Sequence, residues 1–305
     1  MQGSTAGAAA LALMANALAW GLSWWPFKHL HALGVHPLWA TAGVYVFSVI
    51  CLLAFQRAAW RHVAAHPALW FLAAASGMTN IGFNWAVTVG DVVRVVLLFY
   101  LMPAWSILLA WPLLGERPRA GALLRLALAL AGVLVVLKAP GTAWPVPHTL
   151  ADWLALAGGF SFALTNILLL KLRDIAPEGR AVAMFGGGAL MATAVATACW
   201  LLGSVPAPVA PQPAALGYGA LLAVSLLGGN LALQYGAARM PAHATALIML
   251  SEIVFASVSS VLLGAAELTT RTWVGAALIL AAAAASAWAA RAESADNRAR
   301  AESSA

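Results

Sequence analysis

Residues 77–86 read GMTNIGFNWA, and residues 227–236 read LGGNLALQYG. Laid over one another, Asn80 meets Asn230, Asn84 meets Gln234 and Trp85 meets Tyr235. Each stretch carries two carboxamides four residues apart inside an apolar run. At helical periodicity both amides leave the same face. A polar pair recurring at the same place in two oily helices points to a chain built twice from one plan.

The rest of the chain supports a membrane setting. It has 305 residues, 63% hydrophobic and 9% charged, with a mean hydropathy of +0.88. Soluble domains carry about 25% charged residues, so this chain lacks the polar surface a water-soluble body needs. A membrane-spanning helix takes about 20 apolar residues. Cuts at charges, prolines and glycines give ten spans: 7–27, 37–55, 68–89, 93–114, 121–139, 151–170, 181–203, 214–236, 242–263 and 272–290. The start, MQGSTAGAAALALMANALAWG, has no basic residue ahead of its apolar core. It reads as a retained first span rather than a signal peptide. The expected fold is an all-α membrane protein with ten transmembrane helices.

Lys and Arg set the orientation. With the N-terminus in the cytoplasm, the inside segments hold Arg57, Arg61, Arg117, Arg119, Arg125, Lys171, Arg173, Arg180, Arg239, Arg291, Arg298 and Arg300. The outside segments hold only Lys28, Arg94, Lys138 and Arg271. Both termini are then cytoplasmic. The net charge of +6 is a topology signal and calls for no nucleic-acid partner. The tail, 292–305, is polar and reads as disordered.

The repeat extends beyond the opening pair. GLSW at 21–24 lies over GFSF at 159–162, and Gly115 lies near Gly264. The expected units are 1–140 with spans 1–5 and 141–291 with spans 6–10. Five helices is an odd number, so the second unit enters the membrane upside down. Inverted repeats are a transporter signature, because two related halves can exchange conformations about a shared midplane site.

The segment LMPAWSILLAWPLLGERP, with Pro103 followed by Glu116, and its counterpart SEIVFASVSSVLLGAAE, with Glu252 and Ile253, resemble the EamA-type drug/metabolite transporter (DMT) superfamily. Ile253 stands where that pattern has proline, and Glu267 falls one residue late. Aromatic content and the opening AWGLSWW look most similar to the YddG-type branch of exporters. That resemblance implies export of aromatic and other neutral amino acids, and of some cationic toxic compounds, from a bacterial inner membrane. It implies lipid and small-molecule partners and no cofactor.

The candidate cavity residues are Asn80, Asn84, Asn230 and Gln234, whose amides both donate and accept hydrogen bonds. The alternative is that they bond neighbouring helices, worth about 0.6 kcal/mol each. Glu252 with Ser251 beside it is an acid at membrane depth, a placement that marks a pathway or a partner. Trp20 and Trp24 on span 1, Phe83 on span 3, Tyr100 on span 4, and Phe162 and Asn166 on span 6 complete the set. Aromatic packing is the plain alternative for the rings. Pro103 is a candidate kink or hinge. Asp91 and Arg94, three apart, read as a local ion pair or outer gate.

Other chemistries find little support. His62 and His66 are four apart without the metalloprotease glutamate, and Cys51 and Cys199 sit in apolar runs that build no metal site. No phosphate-binding glycine loop accompanies an ATP motif. An intramembrane enzyme would need a paired Ser and His, and His243 is the one histidine placed in a span. A multidrug efflux protein without amino-acid preference is the nearer alternative.

Overall fold

The structure is a computed structural model that describes residues 2–115, 120–138, 146–210, 212–237, 239–240, 245, 248–266 and 269–303. Among the described residues it is all helix: α1 Gln2–Leu22, α2 Trp24–Ala32, α3 Pro37–Phe55, α4 Ala59–Ala65, α5 Ala68–Val89, α6 Val92–Phe99, α7 Met102–Leu114, α8 Ala120–Leu137, α9 Leu150–Lys171, α10 Pro177–Leu201, α11 Pro213–Ala237, α12 Ser251–Leu262 and α13 Thr270–Ser303. Among the described residues, seven stretches are long and apolar enough to cross a membrane, counting α1–α2 and α6–α7 as single spans. The α5 helix is not among them, although it is buried along most of its length. Its amides, serine, threonines and glycines lower its hydropathy, and neighbouring helices rather than lipid cover it.

Helix ends follow local chemistry. His36 caps α3, its Nδ1 accepting from the Leu38 amide at 3.3 Å, with Pro37 at the first position. Pro is favoured there because its missing N–H is not needed. Asp91 caps α6 through the Arg94 amide at 2.8 Å. Thr149 and Asp152 form a reciprocal capping box on α9. Gly115 ends α7 at φ 75°, a left-handed position that favours glycine.

Packing relies on close backbone approach at small residues, as in many membrane bundles. α5 lies against α9, α10 and α3, while α11 lies against α1, α2 and α3. A Cβ on Gly187 would collide with the Ala73 carbonyl oxygen, so only glycine lets α10 approach α5 here. Gly132 and Gly275 face each other's carbonyls where α8 crosses α13.

Several expectations change. The first span breaks at Ser23, whose hydroxyl bonds the Trp20 carbonyl at 2.7 Å. Span 4 breaks into α6 and α7. The segment 56–67 contains the short helix α4. The tail expected to be disordered continues α13 to Ser303, because its many Ala, Arg and Glu residues are good helix formers. Glu116, Glu267, Arg117, Arg119 and His243 lie outside the described residues.

Candidate functional site

The site forms where two interrupted helices meet. α6 stops at Phe99, and α7 restarts at Met102 with Pro103 in its first turn. Pro103 has no N–H, so the Phe99 carbonyl four residues earlier loses its helical partner. Pro103 therefore stands just past a break at Tyr100–Leu101 rather than kinking a continuous helix. α12 begins after a similar break at Leu250, where the Ile253 amide bonds Leu250 at 3.1 Å and leaves the Met249 carbonyl outside the ladder. Leu101 precedes Gly115, and Leu250 precedes Gly264, by the same interval, and both glycines have positive φ.

Tyr100 joins the two breaks. Its hydroxyl lies 2.9 Å from Glu252 Oε2 and 3.3 Å from the Met249 carbonyl oxygen. Tyr100 and Glu252 are both buried. Aromatic rings from four helices pack beside them. Phe83 meets Trp20 at 6.2 Å and Phe99 at 4.8 Å between centroids. Phe99 meets Phe162 at 5.5 Å and Tyr100 at 6.3 Å. Asn16 on α1 donates to the Met249 sulfur at 3.4 Å, and its Oδ1 is buried with no partner.

Trp20, Phe83, Tyr100, Phe162 and Glu252 thus come together. Trp24 is buried nearby and fixed by its Nε1 on Ser259 Oγ at 3.0 Å. Ser251 bonds the Ile248 carbonyl at 2.7 Å and closes its own helix break.

The amides behave differently. Asn80 Oδ1 accepts from the Tyr45 hydroxyl at 2.8 Å. Asn84 Nδ2 donates to Thr41 Oγ1 at 3.3 Å and is wholly buried. Both side chains bond α3 to α5. Asn230 and Gln234 bond each other at 2.7 Å on α11, with Gln234 exposed. Asn166 is exposed on α9. The four repeated amides do not bond across one chamber: those of α5 bond α3, and those of α11 bond each other. The i,i+4 spacing identified a face of each helix, not the helix that covers it.

Arg94 also finds another partner. Asp91 serves the α6 amide, while the Arg94 guanidinium pairs with Asp152 of α9 through Nε–Oδ1 at 2.6 Å and Nη2–Oδ2 at 3.0 Å. Its Nη1 bonds the Val136 carbonyl on α8 at 2.7 Å. Burial holds the Asp91 carboxyl above the ordinary range, against the opposing effect of the Arg94 amide. Sequence reading favoured the neighbour three residues away over one 58 residues away, which spacing cannot reveal. It also missed Phe99, the centre of the ring cluster. The available signal was its place four residues before Pro103.

A cavity of about 520 Å³ lies elsewhere, between α1–α2 and α11, lined by Leu18, Leu22, Trp25, Leu221 and Val224 among others.

Residues 7–138 match the EamA-like transporter family, a family of transporters rather than enzymes. A crystal structure of another protein superposes with a TM-score of 0.59 at 20% identity. The match covers 93% of this chain and 98% of that one, so the fold is shared along nearly the whole length. No curated protein matches in sequence.

Proposed function

We propose that the protein is a secondary transporter of the drug/metabolite type. It exports amino acids, aromatic and other neutral ones, with related small metabolites or toxic cations, across a bacterial inner membrane. It works by alternating access between two inverted five-helix units, 1–140 and 141–291, with both termini cytoplasmic. The family match over residues 7–138 supports a transporter. The observation that carries the mechanism is the meeting of two helix breaks at Tyr100 and Glu252. Discontinuous helices with freed carbonyls are the usual material of midplane transport sites.

Reciprocal packing supports the inverted plan. Gly159 sits against Phe99 at one break, and Gly21 sits against Glu252 at the other. These are the glycines of the overlaid GFSF and GLSW stretches. α5 packs on α9, and α11 packs on α1. Each pair is span 3 with span 6 or its inverted equivalent, span 8 with span 1.

The test is flux in proteoliposomes with a panel of radiolabelled amino acids and amines, with and without a pH gradient. Saturable flux of neutral amino acids supports the reading. Flux of cations alone would favour multidrug efflux without amino-acid preference, and no flux of any probe would overturn transport.

A further inference from the structure

The cluster at the two breaks is rich in acceptors and poor in donors. Glu252 brings two carboxylate oxygens. The Met249 carbonyl is released from its helix because the Ile253 amide bonds Leu250 instead. Asn16 Oδ1 is buried and unpartnered, on a residue only 1% exposed. Among the described residues, the hydroxyl seen bonded to these acceptors is that of Tyr100, shared between Glu252 and Met249. The Asn16 amide protons do not relieve the imbalance, since the bond they make goes to the Met249 sulfur. Buried polar atoms normally have partners, and a cluster left short of donors is a place where one is missing.

We propose that this cluster is a subsite for an organic ammonium group, held by Glu252, the Met249 carbonyl and Asn16 Oδ1. It rests on the transport reading above and narrows its substrate range to the cationic amines, setting neutral amino acids second. A primary ammonium offers three donors and no acceptor, which complements the cluster. The rings of Trp20, Phe83, Phe99 and Phe162 lie beside it. An apolar or aromatic body attached to the ammonium packs there, and the charge itself is favoured near aromatic faces. Those rings now pack on one another, so the ligand enters by parting them.

The Tyr100 hydroxyl bonds the Glu252 carboxyl, and the ammonium displaces it. Two of the described cations are already engaged. Lys28 donates to the Gly90 carbonyl at 3.0 Å, and Arg94 is spent on Asp152. A zwitterion would set its carboxylate beside Glu252, like charge against like. The subsite therefore selects amines over amino acids of the same ring.

The test uses the full chain in lipid nanodiscs, titrated with 2-phenylethylamine, L-phenylalanine, 3-phenylpropanoate and sodium chloride, read by calorimetry. We expect 2-phenylethylamine to bind about tenfold or more tighter than L-phenylalanine, the scale of one charged hydrogen bond. 3-Phenylpropanoate should give no heat. Glu252→Gln should lose about tenfold for the amine. Tyr100→Phe, which removes the competing hydroxyl and leaves the carboxylate, should bind the amine more tightly. A variant that merely misfolds would not gain affinity, so the two changes together separate a site from a folding defect. Equal or tighter binding of L-phenylalanine overturns the proposal, as does unchanged amine binding in Glu252→Gln or displacement of the amine by sodium. Flux separates the two readings. L-Phenylalanine flux with no amine binding leaves transport standing and removes the subsite. Amine binding with no flux of any probe does the reverse.

Discussion

His36 links a loop residue to the stability of a whole helix. Its Nδ1 must be unprotonated to accept the Leu38 amide. Burial, and secondarily the nearby His31, lower its pKa below the ordinary histidine value. The neutral form therefore favours the fold. That contribution is complete above the ordinary value and is lost as pH falls through the lowered one. We expect thermal stability in detergent to decline in this acid window, and His36→Asn, which keeps a capping acceptor without titrating, to remove that part of the decline. Asn84 offers a second test. Its amide donates to Thr41 at 3.3 Å and also meets the Tyr45 side chain, while Oδ1 is left unpartnered. Asn84→Leu should change unfolding free energy by less than about 1 kcal/mol, in the range of helix-to-helix amide bonds in membranes. A larger loss, with abolished flux, would assign Asn84 to the substrate path.

Among the elements, the sequence located helices better than it located their neighbours. Pro37–Phe55 and Ala68–Val89 coincide at both ends with the spans read as 37–55 and 68–89. Apolar run length sets such boundaries, and it is visible in one dimension. The break before Met102 was less legible. Proline marks a lost hydrogen bond, but whether the helix bends through it or restarts depends on what receives the freed carbonyl. Here Gly159 comes against Phe99 so closely that a Cβ would lie 2.5 Å from its oxygen. The α5–α10 crossing gives a paired prediction. Gly187→Ala places a methyl into the Ala73 carbonyl and should destabilise by about 1–3 kcal/mol or more, seen as a lower Tm. Gly186→Ala meets nothing within 4 Å and should leave Tm unchanged. Asp152→Asn should cost about 3 kcal/mol, the low end for breaking a buried pair, because Arg94 is partly exposed at 26%. Exchanging the two residues, Arg94→Asp with Asp152→Arg, should recover part of that loss.

For the whole molecule, the overlay of GMTNIGFNWA on LGGNLALQYG drew attention to four amides that do not bond across from one stretch to the other. The amides it singled out bond helix to helix or to each other. One bond between residues far apart in the chain joins Tyr100 to Glu252, which the sequence named separately and had no means to pair across 152 positions. Rings were more legible because aromatic residues in adjacent central helices reach one another in many registers. Alternating access predicts reciprocal labelling. Single cysteines at Phe162 and Ser251 should react with a membrane-impermeant maleimide from opposite sides in turn, with amine substrate shifting the balance. Positions sealed from both sides under every condition would sink that mechanism.

The length of α13 has a practical side. Its 34 residues extend roughly 50 Å at 1.5 Å per residue, against a hydrocarbon core of about 30 Å. A rod of some 20 Å is left over to project beyond the lipid. A compact domain fused in helical register after Ser303 would inherit the orientation of the bundle and turn with it. That gives a small, nearly featureless membrane protein an outboard landmark by which electron micrographs of single particles can be aligned.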